Sequence, residues 1–254
     1  MHSEIEILSD PAPVNMADDW YQYATAEHFW MQWRFGKVRK CLTGLETGNR
    51  LLEIGCGAGV MRNQLESFHG CAVDGCDLNL PALEMASSGQ GKLFVYDVHQ
   101  RRELWKDYFN TIYLLDVLEH IPDAVKFLNS VRYHLQKDGL LLLNVPAAQW
   151  LYSQYDESVG HLKRYSIRLL TEELAAGGFR LLKCHYWGFT MLPFLLLRKG
   201  VLRFTKREKI VSRGFQPPSK VADLMLRTLM HTENLILPRP PLGTSIVAVA
   251  QKCE

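Results

Sequence analysis

The sequence predicts an α/β protein: a mostly parallel, seven-stranded sheet with helices on both faces, plus a helical cap. Three observations carry this. From Arg50 onward short apolar runs alternate with segments of helical period, the pattern of repeated βα units. A glycine-rich turn follows the first of those runs. The chain has 254 residues, 47% of them hydrophobic and 22% charged, enough to bury one full core.

Five apolar runs, at 51–54, 71–76, 92–96, 111–115 and 140–145, are the expected parallel strands. A helix is predicted over 124–135, where Val125, Leu128, Val131 and Leu135 fall near helical spacing and Asp138-Gly139 supplies a stop before the fifth run. A second helix over 167–176 ends at Gly177-Gly178, and 179–187 and 244–250 read as the last two strands. Two segments fall outside this alternation. Residues 1–44 form an arm dense in aromatics from Trp20 to Phe35, expected to lid a cleft or to pack on the outside. Residues 188–242 form an insertion expected to be part of an acceptor site, a cap or an interface, and the sheet-forming domain is then 45–187 with 243–254.

The glycine turn is Glu53-Ile54-Gly55-Cys56-Gly57-Ala58-Gly59, placed between a strand and a helix, where bare backbone brings amide groups close to a ligand. A dinucleotide fingerprint, G-x-G-x-x-G, requires glycine where Val60 or Arg62 stands, so a dehydrogenase is the weaker reading. Asp77, Asp97 and Asp116 follow the second, third and fourth runs. Any one of these carboxylates alone reads equally well as a helix cap. All of them together with the glycine loop read as a ligand cradle along the carboxyl edge of the sheet.

This combination resembles motif I and the acidic strand ends of the class I S-adenosylmethionine-dependent methyltransferases, whose sheet is Rossmann-like. The resemblance implies S-adenosylmethionine as cofactor and S-adenosylhomocysteine as product. It assigns Asp77 to the ribose hydroxyls, Leu78 to the flank of the adenine, and Asp97 with Val98 to the adenine amino group. Gly55, Cys56, Gly57, Gly59 and Asp116 would face the amino-acid end, with Glu53 orienting the loop.

Val117-Leu118-Glu119-His120-Ile121-Pro122 is similar to a signature of the group that includes the ubiquinone-biosynthesis O-methyltransferases, and Gly160-His161-Leu162-Lys163-Arg164-Tyr165 to a second stretch of that group. His161, with His120 as the other candidate, is the expected general base, since an imidazole with pKa near ~6.5 takes a proton at neutral pH. The plainer reading of each histidine is a helix cap or a bond to a backbone carbonyl. Lys163 and Arg164 are candidates for holding an anionic part of an acceptor. Asp116, Glu119, His120 and His161 also form a set that a divalent metal could use, a less favoured alternative to a metal-free site.

Composition narrows the partners. A net charge of +2 is too mild to point to nucleic acid on electrostatics alone, so the expected partner is a small or lipid-linked acceptor methylated on oxygen. The six cysteines include no C-x-x-C pair and read as reduced structural residues. The acidic start has no signal-peptide pattern, and the longest apolar run, near 189–197, is about half of the ~20 residues that span a bilayer. A cytoplasmic protein is expected. Peripheral membrane contact through 187–209 enters as a further reading, because Trp187, Phe189 and Leu195–Leu197 adjoin Arg198, Lys199, Arg203, Lys206, Arg207 and Lys209. The alternatives of another class are a non-catalytic cofactor-binding scaffold or regulator, an RNA methyltransferase and the dehydrogenase.

Overall fold

The computed structural model describes residues 4–12, 24–202 and 219–253. Among these residues eight strands form one sheet: β1 (Ile5–Ile7), β2 (Leu51–Ile54), β3 (Val73–Asp77), β4 (Leu93–Val95), β5 (Phe109–Leu115), β6 (Leu135–Pro146), β7 (Phe179–Trp187) and β8 (Ser245–Lys252). Their order is β1-β4-β3-β2-β5-β6-β8-β7. Every pairing from β1 to β6 is parallel, and β8 runs antiparallel to both β6 and β7. The five runs expected to be parallel are so, and the last two expected strands are present.

The count differs by one. Ile5–Ile7 adds an edge strand on β4, and three residues of apolar-acidic-apolar sequence are too short to show a period. A second difference lies before the fifth run. The strand begins at Leu135, and Asp138-Gly139 is a kink inside it: Phe109 pairs with Leu135 but Thr111 with Leu140, so the extra residues bulge, with Asp138 at φ +60°.

Period-two alternation builds the two layers. Leu52, Ile54, Ile112, Leu114, Leu141 and Leu143 point to one face, covered by α4 (Ala124–His134) and α6 (Ile167–Ala176) through Leu128, Val131, Leu170 and Leu174. Leu51, Tyr113, Leu115, Leu142 and Val247 point to the other, covered by α1 (Phe29–Leu42) and α2 (Val60–His69) through Trp33, Val38, Met61 and Leu65. Phe29 and Trp33 of the aromatic arm are buried in this layer, Trp30 and Phe35 partly so: Trp33 stacks edge-on to Trp187 at 5.2 Å, and Trp30 lies 4.7 Å from the same ring. Trp20, Tyr21 and Tyr23 lie outside the described residues.

The insertion contributes α7 (Leu192–Leu202) and α8 (Lys220–Ile236). Glu233, buried on α8, accepts bonds from the amides of Gly188 and Thr190 at 2.8 and 2.9 Å and fastens the helix beside the end of β7. Of the basic residues expected at a membrane surface, Arg203, Lys206, Arg207 and Lys209 lie outside the described residues. Among the described residues no helix is long and apolar enough to cross a membrane.

Candidate active site

Strand order reverses between β2 and β5, which diverge in the directions of β3 and β6, and open α/β sheets bind ligands in the crevice at such a point. A cavity of about 780 Å³ opens there, within the range of ligand clefts. Glu53, Gly55, Cys56, Gly57, Asp77, Leu78, Asp97, Val98 and Asp116 all line it, as do Glu119, His120 and His161. Gly59 alone of the expected cofactor residues is absent from the wall; it caps the start of α2.

The loop is built for close approach. Gly55, Gly57 and Gly59 have φ of +73°, +49° and +72°, values that side chains disfavour. A Cβ at Gly55 would also meet Val117 at 2.5 Å. Asp77 binds the loop in place, accepting from the Gly57 amide at 2.8 Å and the Asn79 amide at 2.9 Å. Burial raises its pKa above the usual carboxylate value. Glu53 lies beneath the loop, and burial pushes its carboxyl up to about 8 against the opposing pull of Arg34 and Arg62. Asp97 accepts from the His99 amide at 2.8 Å, so the capping role is real, while its own amide donates to Ser9 Oγ at 2.8 Å. The edge strand β1 thereby braces this corner.

Asp116 sits at φ +61°, an uncommon conformation for a residue with a side chain. It is ion-paired with Arg34 from α1, and Asn144 Nδ2 donates to its other oxygen at 2.5 Å. Trp187 Nε1 in turn donates to Asn144 Oδ1 at 2.9 Å, so the foot of the insertion is wired to the cleft. Arg34 and Asn144 carried no motif in the sequence. An arginine among the aromatic and apolar residues of the buried helix face, which also holds Lys37, was the signal for the first.

Next to Asp116 lies a second cluster. Glu119 is fully buried and neither carboxyl oxygen has a hydrogen-bond partner. Burial, with Asp116 adding, raises its pKa well above that of a free carboxyl. His120 Nδ1–H donates to the Gly160 carbonyl at 3.1 Å, the plainer of the two roles open to it, but its Nε2 has no partner. Burial, with His161 adding, pushes this imidazole down to about 4, so it is neutral. His161 Nδ1–H donates to Asp156 at 2.9 Å, its Nε2 is 3.7 Å from Glu119, and the two imidazoles meet edge-on at 4.9 Å. Glu119, His120 and His161 bring ligand atoms within 4.8 Å of one another, an arrangement a divalent cation fits. Asp116 of the four-residue set is instead engaged by Arg34 and Asn144.

The two cations considered for an anionic acceptor have other partners. Lys163 pairs with Glu173, and Arg164 directs Nε and Nη2 at Asp156, both at 2.8 Å, and Nη1 at the Ala147 carbonyl at 3.2 Å. Beyond the histidines the insertion lines the cavity with Met191, Phe194, Leu195, Leu197, Val201 and Leu226, and with one cation, Arg198, whose guanidinium lies 4.1 Å over the Tyr155 ring.

Comparison with known proteins agrees with this geometry. A methyltransferase-domain family model matches residues 25–183. Ubiquinone biosynthesis O-methyltransferases of Histophilus somni and Haemophilus ducreyi are 27% and 26% identical over 121 residues, 44% of this chain and 50% of each relative. The match thus spans half the length of these curated relatives. A SAM-dependent methyltransferase from Archaeoglobus fulgidus superposes with TM-score 0.54 at 17% identity, covering 86% of this chain and 92% of the other. The [4+2]-cyclase SpnF superposes at 0.59 with 15% identity, covering 96% and 99%, so the fold by itself does not dictate methyl transfer. The model match covers more than half of the sequence, including the glycine loop, the acidic strand ends and both histidines: the chain belongs to the methyltransferase-domain family, class I of the S-adenosylmethionine-dependent enzymes.

Proposed function

We propose that the protein transfers the methyl group of S-adenosylmethionine to an oxygen of a small or lipid-linked acceptor. One observation carries the reading: a single cavity joins the glycine loop and acidic strand ends to the clustered side chains of Glu119, His120 and His161. The first half suits the cofactor and the second its acceptor.

In this reading Asp77 has lone pairs beyond its two backbone bonds for the ribose diol. Leu78, Asp97 and Val98 surround the adenine. Arg34 and Asp116 receive the amino-acid end: the cofactor's carboxylate takes the guanidinium and its ammonium takes the aspartate, so a zwitterion replaces an ion pair of the same polarity. Methyl transfer from a sulfonium is an in-line displacement, for which the protein aligns the acceptor oxygen and removes its proton. His161 is the base, with His120 neutral beside it. Three ligand atoms already clustered, two on imidazoles anchored through Nδ1, support a second reading in which Glu119, His120 and His161 hold a divalent cation that lowers the acceptor hydroxyl's pKa.

The lipid-linked acceptor is supported by the mouth of the cavity. Phe194, Leu197 and Val201 of α7 line it while remaining 42%, 67% and 49% exposed. On α8, Val221, Leu224, Met225, Leu235 and Ile236 share one exposed face. Arg198, expected at that surface, instead turns inward over Tyr155 at 4.1 Å, but residues 199–220 carry seven Lys or Arg and one Glu, suited to an anionic membrane surface.

Incubation with methyl-labelled cofactor and cell extract, followed by mass spectrometry, identifies the acceptor and the atom modified. His161→Ala is expected to keep S-adenosylhomocysteine affinity and to lose roughly 10²–10⁴-fold in transfer. Unchanged transfer removes His161 from the chemistry. Cofactor affinity without transfer to any acceptor pool favours the non-catalytic scaffold.

A further inference from the structure

Asp156 lies on α5 (Gln154–Ser158), fully buried, and collects four hydrogen-bond donors and one further ion-pair contact. Ser153 gives its amide at 2.9 Å and its hydroxyl at 3.1 Å to Oδ2. His161 Nδ1–H at 2.9 Å and Arg164 Nε and Nη2, each at 2.8 Å, converge on Oδ1. The His161 amide also donates to the Asp156 carbonyl at 2.8 Å, so backbone and ring are held together. These donors, His161 foremost, outweigh burial and hold the carboxyl down to about 2, ionised throughout the neutral range. A helix cap needs only the two Ser153 bonds. The three that converge on Oδ1 come from the motif beside the cleft.

We propose that Asp156 is a positioning residue for the acceptor site: by accepting the Nδ1–H of His161 it fixes the tautomer whose Nε2 lone pair faces Glu119 and the cavity. Free histidine prefers the opposite tautomer, which would present a donor where a base is required. The proposal rests on the reading of His161 as the base and deepens it. As the oxygen–methyl bond forms and the carbon–sulfur bond breaks, the acceptor's proton passes to His161 Nε2. The sulfonium becomes a neutral thioether and its positive charge reappears on an imidazolium bonded to Asp156. Arg164 keeps Asp156 in place through the same oxygen, Oδ1. Glu119, 3.7 Å from Nε2, and His120, edge-on at 4.9 Å, also face the ring, burial raising the first group's pKa and lowering the second's, and Arg198 lines the same cavity.

The test is imidazole ¹⁵N NMR on the full chain loaded with S-adenosylhomocysteine, with His161 assigned by its absence in His161→Gln. The expected spectrum has Nδ1 protonated and Nε2 bare. In Asp156→Asn, where an amide offers one acceptor oxygen instead of two, the Nε2–H form is expected to appear. Labelled methyl transfer falls ~10²-fold or more, while S-adenosylhomocysteine affinity stays within about twofold. A purely structural Asp156 moves affinity and stability and leaves the tautomer alone. Nε2–H in the unmodified protein, or an unchanged tautomer in a folded Asn variant, overturns the proposal; should that variant not fold, the unmodified spectrum decides. Wild-type transfer by His161→Gln overturns the base reading itself, an outcome the spectrum does not depend on.

Discussion

Arg34 and Asp116, 82 residues apart, close an ion pair across the cleft between the aromatic helix and the end of β5. Arg34 is buried, its Nη2 otherwise directed at Met31 Sδ at 3.5 Å, so the guanidinium has few partners other than Asp116 and a ligand. Arg34→Met is therefore expected to weaken S-adenosylhomocysteine binding by roughly 10–100-fold, the scale of one charge-assisted bond. Titration calorimetry reads this directly, and unchanged affinity would disprove the assignment of Arg34 to the cofactor.

Glu53 gives a pH signature. Its carboxyl titrates near 8 in the folded chain and near 4.5 when unfolded, so between these values the folded state holds the extra proton. Its contribution is complete below about pH 4.5 and declines as pH rises through 8. Glu53→Gln imitates the protonated acid and should flatten this decline in urea unfolding measured across pH 5–9. A parallel decline in the variant would place the proton elsewhere.

The exposed apolar face of α8 predicts sedimentation with vesicles rich in phosphatidylglycerol, weakened in phosphatidylcholine and by added salt. Leu224→Glu with Ile236→Glu should reduce the bound fraction at least tenfold without altering the thermal midpoint by more than a few degrees, both positions being well exposed. Concentration-dependent dimerisation abolished by the same pair, without vesicle binding, would assign the face to a second copy of the chain.

A metal-free base predicts that prolonged chelation leaves methyl transfer within about twofold. Loss of transfer restored by magnesium or manganese would instead give Glu119, His120 and His161 to a cation.

What the sequence disclosed was local. The glycine loop and the acids after each strand announce themselves because their neighbours in sequence are their neighbours in the cradle. Arg34, Asn144 and Asp156 escaped because each acquires meaning only through folding: Arg34 by crossing to Asp116, Asn144 by linking Trp187 to that carboxylate, and Asp156 by meeting His161 and Arg164 around a turn. Lys163 and Arg164 show the converse, since cations beside a motif invite an anionic ligand until their intramolecular partners are seen. The role of the insertion was hidden by composition, an apolar and basic mixture that fits a cap, a dimer face or a membrane surface equally.

The insertion leaves the sheet at Trp187 and rejoins it at Ser245, and those two residues pair with each other across β7 and β8. Entry and exit are clamped side by side in adjoining strands. A segment anchored this way is a cassette: its length and chemistry are free to diverge, by descent or by design, without displacing the register of the scaffold. A chimera carrying another enzyme's stretch between these two positions would keep its cofactor and change its substrate.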